Sequence, residues 1–296
     1  MILYWPNHRG RPPRGIVSLL TQVVRSFLIL LLIGIGLAGC TLIHPKDAPP
    51  LKRVTAEELT TLLRQREAAV HSMKGLFTAK VRGGLMPIAT RVEGTVHYRR
   101  PNALRLRGFT PIGHELFEFV QADDWYTLRL PLEGKVYSGH RSDMKDLGKL
   151  ARFSQLSAWA VGGVLGTGVI THEETVKVVE DRDRYRLDVY AAVSAEAGAG
   201  RHAIRRLWFD RRLLVVQEDR LGTDGDVEAT IQYDDFRRLD DSETEPARMV
   251  VEQDGPLLRP FKVSLVDGRG EGSIQVTFHE LHHNQTINAK DLGQAS

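Results

Sequence analysis

The chain has 296 residues, of which 42% are hydrophobic and 26% charged, an ordinary globular composition that can build a sizeable core. Its single cysteine excludes an intrachain disulfide and a thiolate metal cluster, so the fold must rest on its hydrophobic core. The formal charge of +3 points to no nucleic-acid partner, because Arg9, Arg11, Arg14 and Arg25 fall in an N-terminal segment and the remainder is nearer neutral.

That N-terminal segment has the layout of an export signal, with basic residues followed by an apolar run from Phe27 to Ala38. The run is about 12 residues, short of the roughly 20 that a membrane-crossing helix needs. It ends in Leu37-Ala38-Gly39-Cys40, which resembles a lipobox, so Cys40 is expected to be the lipidated first residue of the mature chain. Thr41 is not the aspartate that retains lipoproteins at the inner membrane, which favours the outer membrane. Thr41 to Pro50 holds Pro45, Pro49 and Pro50 and no apolar period, as in a tether.

Thr55 followed by Glu58 matches a capping box, and Leu59, Leu62, Leu63, Ala69, Val70 and Met73 predict an amphipathic helix running to Met73. From Gly75 the period becomes two. Val92, Gly94, Val96 and Tyr98 alternate with Arg91, Glu93, Thr95, His97 and Arg99, the pattern of a half-buried strand. The alternation returns at Leu104 and Leu106 and again at Val227, Ala229, Ile231 and Tyr233, so an antiparallel sheet is expected. Further strands are predicted at Phe117–Gln121, Trp125–Leu130, Val136–Gly139, Val176–Val179, Tyr185–Tyr190, Ile204–Phe209, Leu213–Asp219, Arg248–Gln253, Phe261–Val266 and Ile274–Phe278. Glu133-Gly134, Asp210-Arg211-Arg212 and Thr223-Asp224-Gly225 supply turns.

One stretch breaks this pattern. Asp143 to Val161 spaces Met144, Leu147, Leu150, Phe153, Leu156, Trp159 and Ala160 at three and four, and Gly162, Gly163, Gly166 and Gly168 follow. A helix ending at the glycines, then a flexible loop, is expected; Ala191 to Gly200 reads as another loop. The boundaries are 1–39 export signal, 40–54 lipidated terminus and tether, 55–283 one β domain, and 284–296 a polar tail.

No G-x-S-x-G, H-E-x-x-H or P-loop is present, and no cysteine is free of the anchor, which argues against an enzyme. His279, His282 and His283 could hold a metal only if gathered; continuing into a polar tail, they are expected in solvent. Gly162 to Gly168 follows a helix rather than a strand and lacks the lysine of a phosphate loop. Arg99, Arg100, Arg105, Arg107, Arg205 and Arg206 read as a solvated sheet face. No cofactor and no metal are expected.

The order helix, strands, helical insertion, strands is similar to that of the LolA/LolB lipoprotein-carrier superfamily. The segment from Asn102 to Phe119 looks like the LolB-type stretch in which an R-x-R-L strand leads through a P-L-G turn into an E-L-E-L strand. Trp159-Ala160-Val161-Gly162 resembles its W-x-x-G segment. The turn here carries isoleucine in place of leucine, and strands from Phe261 to Phe278 extend past the compact family pattern.

The resemblance implies a strongly curved antiparallel sheet, an incomplete β-barrel under a helical lid, with a cavity for acyl chains. Val96, Tyr98, Leu104, Leu106, Phe117 and Phe119 would line it, Leu150, Phe153, Leu156 and Trp159 would form the lid, and Ile112 would touch the bilayer. The implied role is an outer-membrane lipoprotein facing the periplasm, receiving acyl chains of lipoproteins or lipids, with a LolA-like carrier as partner. The alternative is a non-catalytic structural or assembly lipoprotein that uses the same fold for protein interaction.

Overall fold

The computed structural model describes residues 51, 53–83, 86–147, 149–165, 170–171, 173–181, 183–191, 202–239 and 257–294. The export signal, Cys40, the tether through Pro50, the strand expected at Arg248–Gln253, the loop at 192–200 and the glycines Gly166 and Gly168 lie outside the described residues.

Helix α1 spans Ala56–Ala68. Its start is set as the sequence requires: Thr55 Oγ1 accepts from the Glu58 N–H at 3.2 Å and the Thr55 N–H donates to Glu58 Oε2 at 2.7 Å. These bonds hold the Glu58 carboxyl below its usual range. The helix stops at Ala68 rather than Met73, because Arg100 donates to the carbonyls of Glu67 and Val70, both at 2.7 Å, and turns the chain into the sheet. Met73 is buried on the first strand.

The strands are β1 Ser72–Gly83, β2 Met86–Arg99, β3 Ala103–Phe109, β4 Glu115–Ala122, β5 Trp125–Leu130, β6 Lys135–His140, β7 Thr175–Asp181, β8 Arg184–Tyr190, β9 Ala203–Phe209, β10 Val215–Leu221, β11 Val227–Arg238, β12 Leu258–Asp267 and β13 Gly272–His283. They form one 13-stranded sheet in the order β6-β5-β4-β3-β2-β1-β13-β12-β11-β10-β9-β8-β7. Every pairing is antiparallel, and tight turns join β3 to β4, β5 to β6, β9 to β10 and β10 to β11, the last three at the turn residues expected. β10 begins two residues later than expected, since Leu213 sits at φ +59° and Asp210 Oδ1 accepts the Arg212 and Leu214 N–H groups to close the turn. The chain therefore runs outward from β1 to one edge at β6, crosses to the other edge at β7, and returns to pair β13 with β1.

The crossing contains helix α2, Lys149–Leu165, preceded by a 3₁₀ segment at Arg141–Leu147. It starts later and ends later than the spacing predicts. Gly162 and Gly163 are inside it, because Gly163 is where the helix rests on the ring and hydroxyl of Tyr233. A glycine costs only about 1 kcal/mol in a helix interior, and close approach of two elements offsets that.

Alternation sends one side of each strand into the concave inner face. Two apolar clusters result. The larger joins β1, β2 and β11–β13 to α2, through Phe77, Val96, Ile231, Val263, Val276 and Val164 among others. The smaller joins Leu59 of α1 to Tyr185, Leu187, Leu207 and Phe209 of β8 and β9. Gly94 and Gly108 face each other across β2 and β3, and the rings of Phe77 and Phe117 lie over them. An aromatic ring laid on a strand glycine fills the missing side-chain volume and lets the sheet coil.

On the outer face the segment after β13 is docked, not trailing. Ile287 and Leu292 bury against Ala103 of β3. Ser72 Oγ donates to the Gln285 carbonyl at 2.6 Å, Arg99 to that of Ile287 at 3.1 Å, and Arg105 to that of Lys290 at 3.2 Å. Two of the arginines read as solvated are clamps for this segment.

A Cβ on Gly94 has no room beneath the Phe77 ring. Gly94→Val is expected to lower unfolding free energy by about 1–3 kcal/mol in a denaturant titration, while Gly134→Asn, at a turn with φ +65° and open space around it, stays near neutral. An unchanged midpoint for Gly94→Val would show that the ring moves aside without cost.

Candidate functional site

The inner face gathers the strand residues singled out from sequence. Leu106 pairs laterally with Val96 on β2 and Phe119 on β4, and Leu104 with Tyr98. Val96, Tyr98 and Leu106 are buried, whereas Leu104, Phe117 and Phe119 are half-buried and pack on the edge of the main cluster. From α2, Leu156, Ala160, Val161 and Val164 are buried and Trp159 is half-buried, in the same cluster. Leu150 and Phe153 belong to the first turns of α2, with side chains outside the described residues.

The cover is seated, not propped open. Val263, Leu265, Ile231, Val276 and Val164 are each no more than 2% exposed, so this half of the face is filled by protein side chains. The half-buried side chains Leu104, Phe117 and Phe119 belong to β3 and β4, beyond β2 from the strands on which α2 packs.

A feature missed in the sequence lies among these apolar groups. Arg205 and Glu218, only 4% and 5% exposed, point inward from β9 and β10. Arg220 Nε is 2.7 Å from Glu218 Oε1 without hydrogen-bond alignment, and Arg205 lies 4.0 Å from the same oxygen and 3.5 Å from Glu174. The Tyr233 hydroxyl donates to Glu218 Oε2 at 3.1 Å. Burial, with the negative Glu218 beside it, pushes that phenol well above its usual value. Burial likewise lowers the Arg205 guanidinium. The Arg220 guanidinium also sits 5.5 Å from the Trp159 ring centre, tying α2 to β10. Arg205 thus corrects the reading of a solvated face: its position on β9 alternates with Ile204 and Arg206, and faces the core.

Beside this cluster is a cavity of about 110 Å³ at the seam of the two apolar clusters, bounded by Leu63 and Arg66 of α1, Gly163 of α2, Val215, Phe236 and Arg259. None of the residues predicted to line a cavity lines this one.

Ile112 stands at the tip of the β3–β4 turn, 81% exposed, between Pro111 and a Gly113 with φ +88°. Antiparallel order brings the β5–β6 turn to the same rim, and there Leu132 is 66% and Val136 63% exposed. The sequence reading missed this second apolar tip, whose signal is a leucine inside the Pro131–Glu133 turn.

The three histidines do not converge. His279 shares a 2.7 Å hydrogen bond with Thr78, His282 is 3.7 Å from Glu280, and His283, expected in solvent, is buried because β13 runs on to it and turns it inward. Among the described residues no group of three or more His, Cys, Asp or Glu side chains is placed to hold a metal.

No family model matches the chain, and no curated protein matches it. Among solved structures, a DUF1329 family protein from Desulfovibrio piger is similar with TM-score 0.51 at 9% identity, over 80% of this chain and 95% of that one. A LolA superfamily protein from Nitrosomonas europaea gives 0.49 at 10%, over 80% and 97%. An outer membrane lipoprotein-sorting protein domain from Vibrio parahaemolyticus gives 0.48 at 9%, over 80% and 97%. At such identities it is the fold that is shared. What the chain shares with the DUF1329 family protein is the fold: an open, curved antiparallel sheet, here with a helix across its inner face.

Removing Glu218 takes the buried carboxylate from between Arg205, which keeps Glu174 at 3.5 Å, and the partly exposed Arg220. Glu218→Ala is expected to destabilise by about 3–5 kcal/mol and Tyr233→Phe by about 1 kcal/mol, both read from thermal or denaturant unfolding. Equal, small effects would show that water reaches the cluster.

Proposed function

We propose that the chain is a lipoprotein, anchored in the outer membrane through Cys40 with its domain facing the periplasm. Its role is to bind acyl chains on the inner face, in the reception or localisation of lipoproteins. The observation that carries this reading is the apolar part of the inner face of an open sheet, running from β3 and β4 to β11–β13 and crossed by α2. Ile112, with Leu132 on the same rim, is the part that meets the bilayer.

Because α2 fills the face over β11–β13, a chain can enter there only as α2 lifts. Lifting separates Gly163 from Tyr233 and Trp159 from Arg220. An incoming chain recovers about 0.8 kcal/mol per methylene buried, which offsets the lost helix contacts. The half-buried Leu104, Phe117 and Phe119 give it a place to begin.

The filled face also favours a second reading, a structural or assembly lipoprotein that binds envelope proteins and carries no lipid. A fluorescent acyl probe separates the two. Uptake by the purified protein, with transfer to vesicles slowed by Ile112→Asp while uptake is kept, supports the carrier. Failure to take up any probe discards it and leaves the assembly reading. Labelled palmitate should be incorporated by the wild-type chain and lost in Cys40→Ala; incorporation into Cys40→Ala would remove the anchor.

A further inference from the structure

We propose that the cavity between α1 and the inner ends of β10–β12 receives the anionic head group, a carboxylate or phosphate, of the amphiphile whose chain lies on the inner face, with Arg259 as its cation. The inference rests on the acyl-binding reading for the chain.

Arg259 is 7% exposed and borders the cavity. Its Nη2 donates to the Arg66 carbonyl at 2.6 Å, while its Nε has no hydrogen-bond partner among the described residues. The carboxylates that border the same cavity are already matched: Glu67 to Arg100 at 2.8 Å, Glu218 to Arg220 at 2.7 Å and to Tyr233. Arg259 is therefore left with the Arg66 carbonyl, which supplies only a partial charge, and with the field of a Glu67 carboxylate already bound to Arg100. Burial, with Arg66 and Arg100 nearby, lowers the guanidinium to about 10, so it stays protonated at neutral pH.

Size and lining point to a head group. A cavity of about 110 Å³ is well below the roughly 300–1,000 Å³ that encloses a whole small ligand. Its other walls are apolar, with Leu207, Leu214, Val215, Phe236, Leu258 and Pro260. Gly163 and Tyr233 at its margin lead to the surface under α2, where the attached chain would run. An oxyanion on a charged, desolvated guanidinium gains a charge-assisted hydrogen bond that a neutral hydroxyl does not.

The full chain, loaded with a neutral fluorescent acyl probe, is titrated with palmitate, hexadecyl phosphate, hexadecanol and inorganic phosphate. Palmitate and hexadecyl phosphate should displace the probe about tenfold more tightly than hexadecanol. Arg259→Gln should erase the difference, Arg259→Lys should keep part of it, and hexadecanol should bind all three alike. Leu63→Trp, which fills the cavity without touching a charge, should also erase the preference, so the result does not depend on Arg259→Gln folding. Equal displacement by palmitate and hexadecanol overturns the head-group site and leaves the acyl reading intact. No binding of any chain removes both. Inorganic phosphate binding as tightly as hexadecyl phosphate overturns the proposal in favour of a free-anion site.

Discussion

The pairing of the last strand with the first is the constraint from which the rest of the architecture follows. Because β13 lies beside β1, the two edges of the sheet must be strands from the middle of the chain, β6 and β7. Laid flat, 13 strands would separate those edges by about 58 Å at ~4.8 Å per spacing, and α2, with 17 residues, supplies about 25 Å of the connection between them. The connection carries α2 across the inner face, and the helix over the apolar surface is a result of topology as much as of its own amphipathic pattern.

That surface is not uniform. Under α2 the side chains interdigitate to full burial, and the helix behaves as part of the core. Toward β3 and β4 the aromatic residues are only partly covered. Between the two apolar clusters lies a charged seam of Arg205, Glu218 and Arg220, with Arg259 and α1 next to it. A buried ionic group contributes little net stability against an apolar replacement, so its retention at a seam beside a cavity fits a site that handles polar matter better than a stabilising device.

Local signals were readable in the sequence, and long-range ones were not. The period of two at Val92–Tyr98 and Val227–Tyr233, the Thr55–Glu58 cap and the glycine-bearing turns all act within a few residues, and each appears in place. The projection of Ile112 follows from a proline and a glycine that flank it. By contrast, Gly163 reads as a helix stop until Tyr233, 70 positions later, is known to lie beneath it. Arg205, Glu218 and Arg259 look like surface charge because the partners that permit burial come from other strands and from α1. Ile287 and Leu292 are too sparse to announce a docked segment, and only Ala103 across the sheet gives them a seat. The expected acyl cavity was drawn from a resemblance, and the cavity against α1 is lined by residues that the resemblance did not name.

The open edges carry a hazard of their own. Among the described residues β6 and β7 each present one unpaired row of backbone donors and acceptors, and strand addition from one molecule's β6 to the next molecule's β7 is a head-to-tail contact that grows as a filament wherever its rotation does not close a ring. Brevity and charge oppose it. β6 has six residues bounded by the exposed Lys135 and His140, and β7 sets Lys177 and Glu180 outward along its length. Neutralising those few side chains would cost the protein its solubility before it cost the fold its stability.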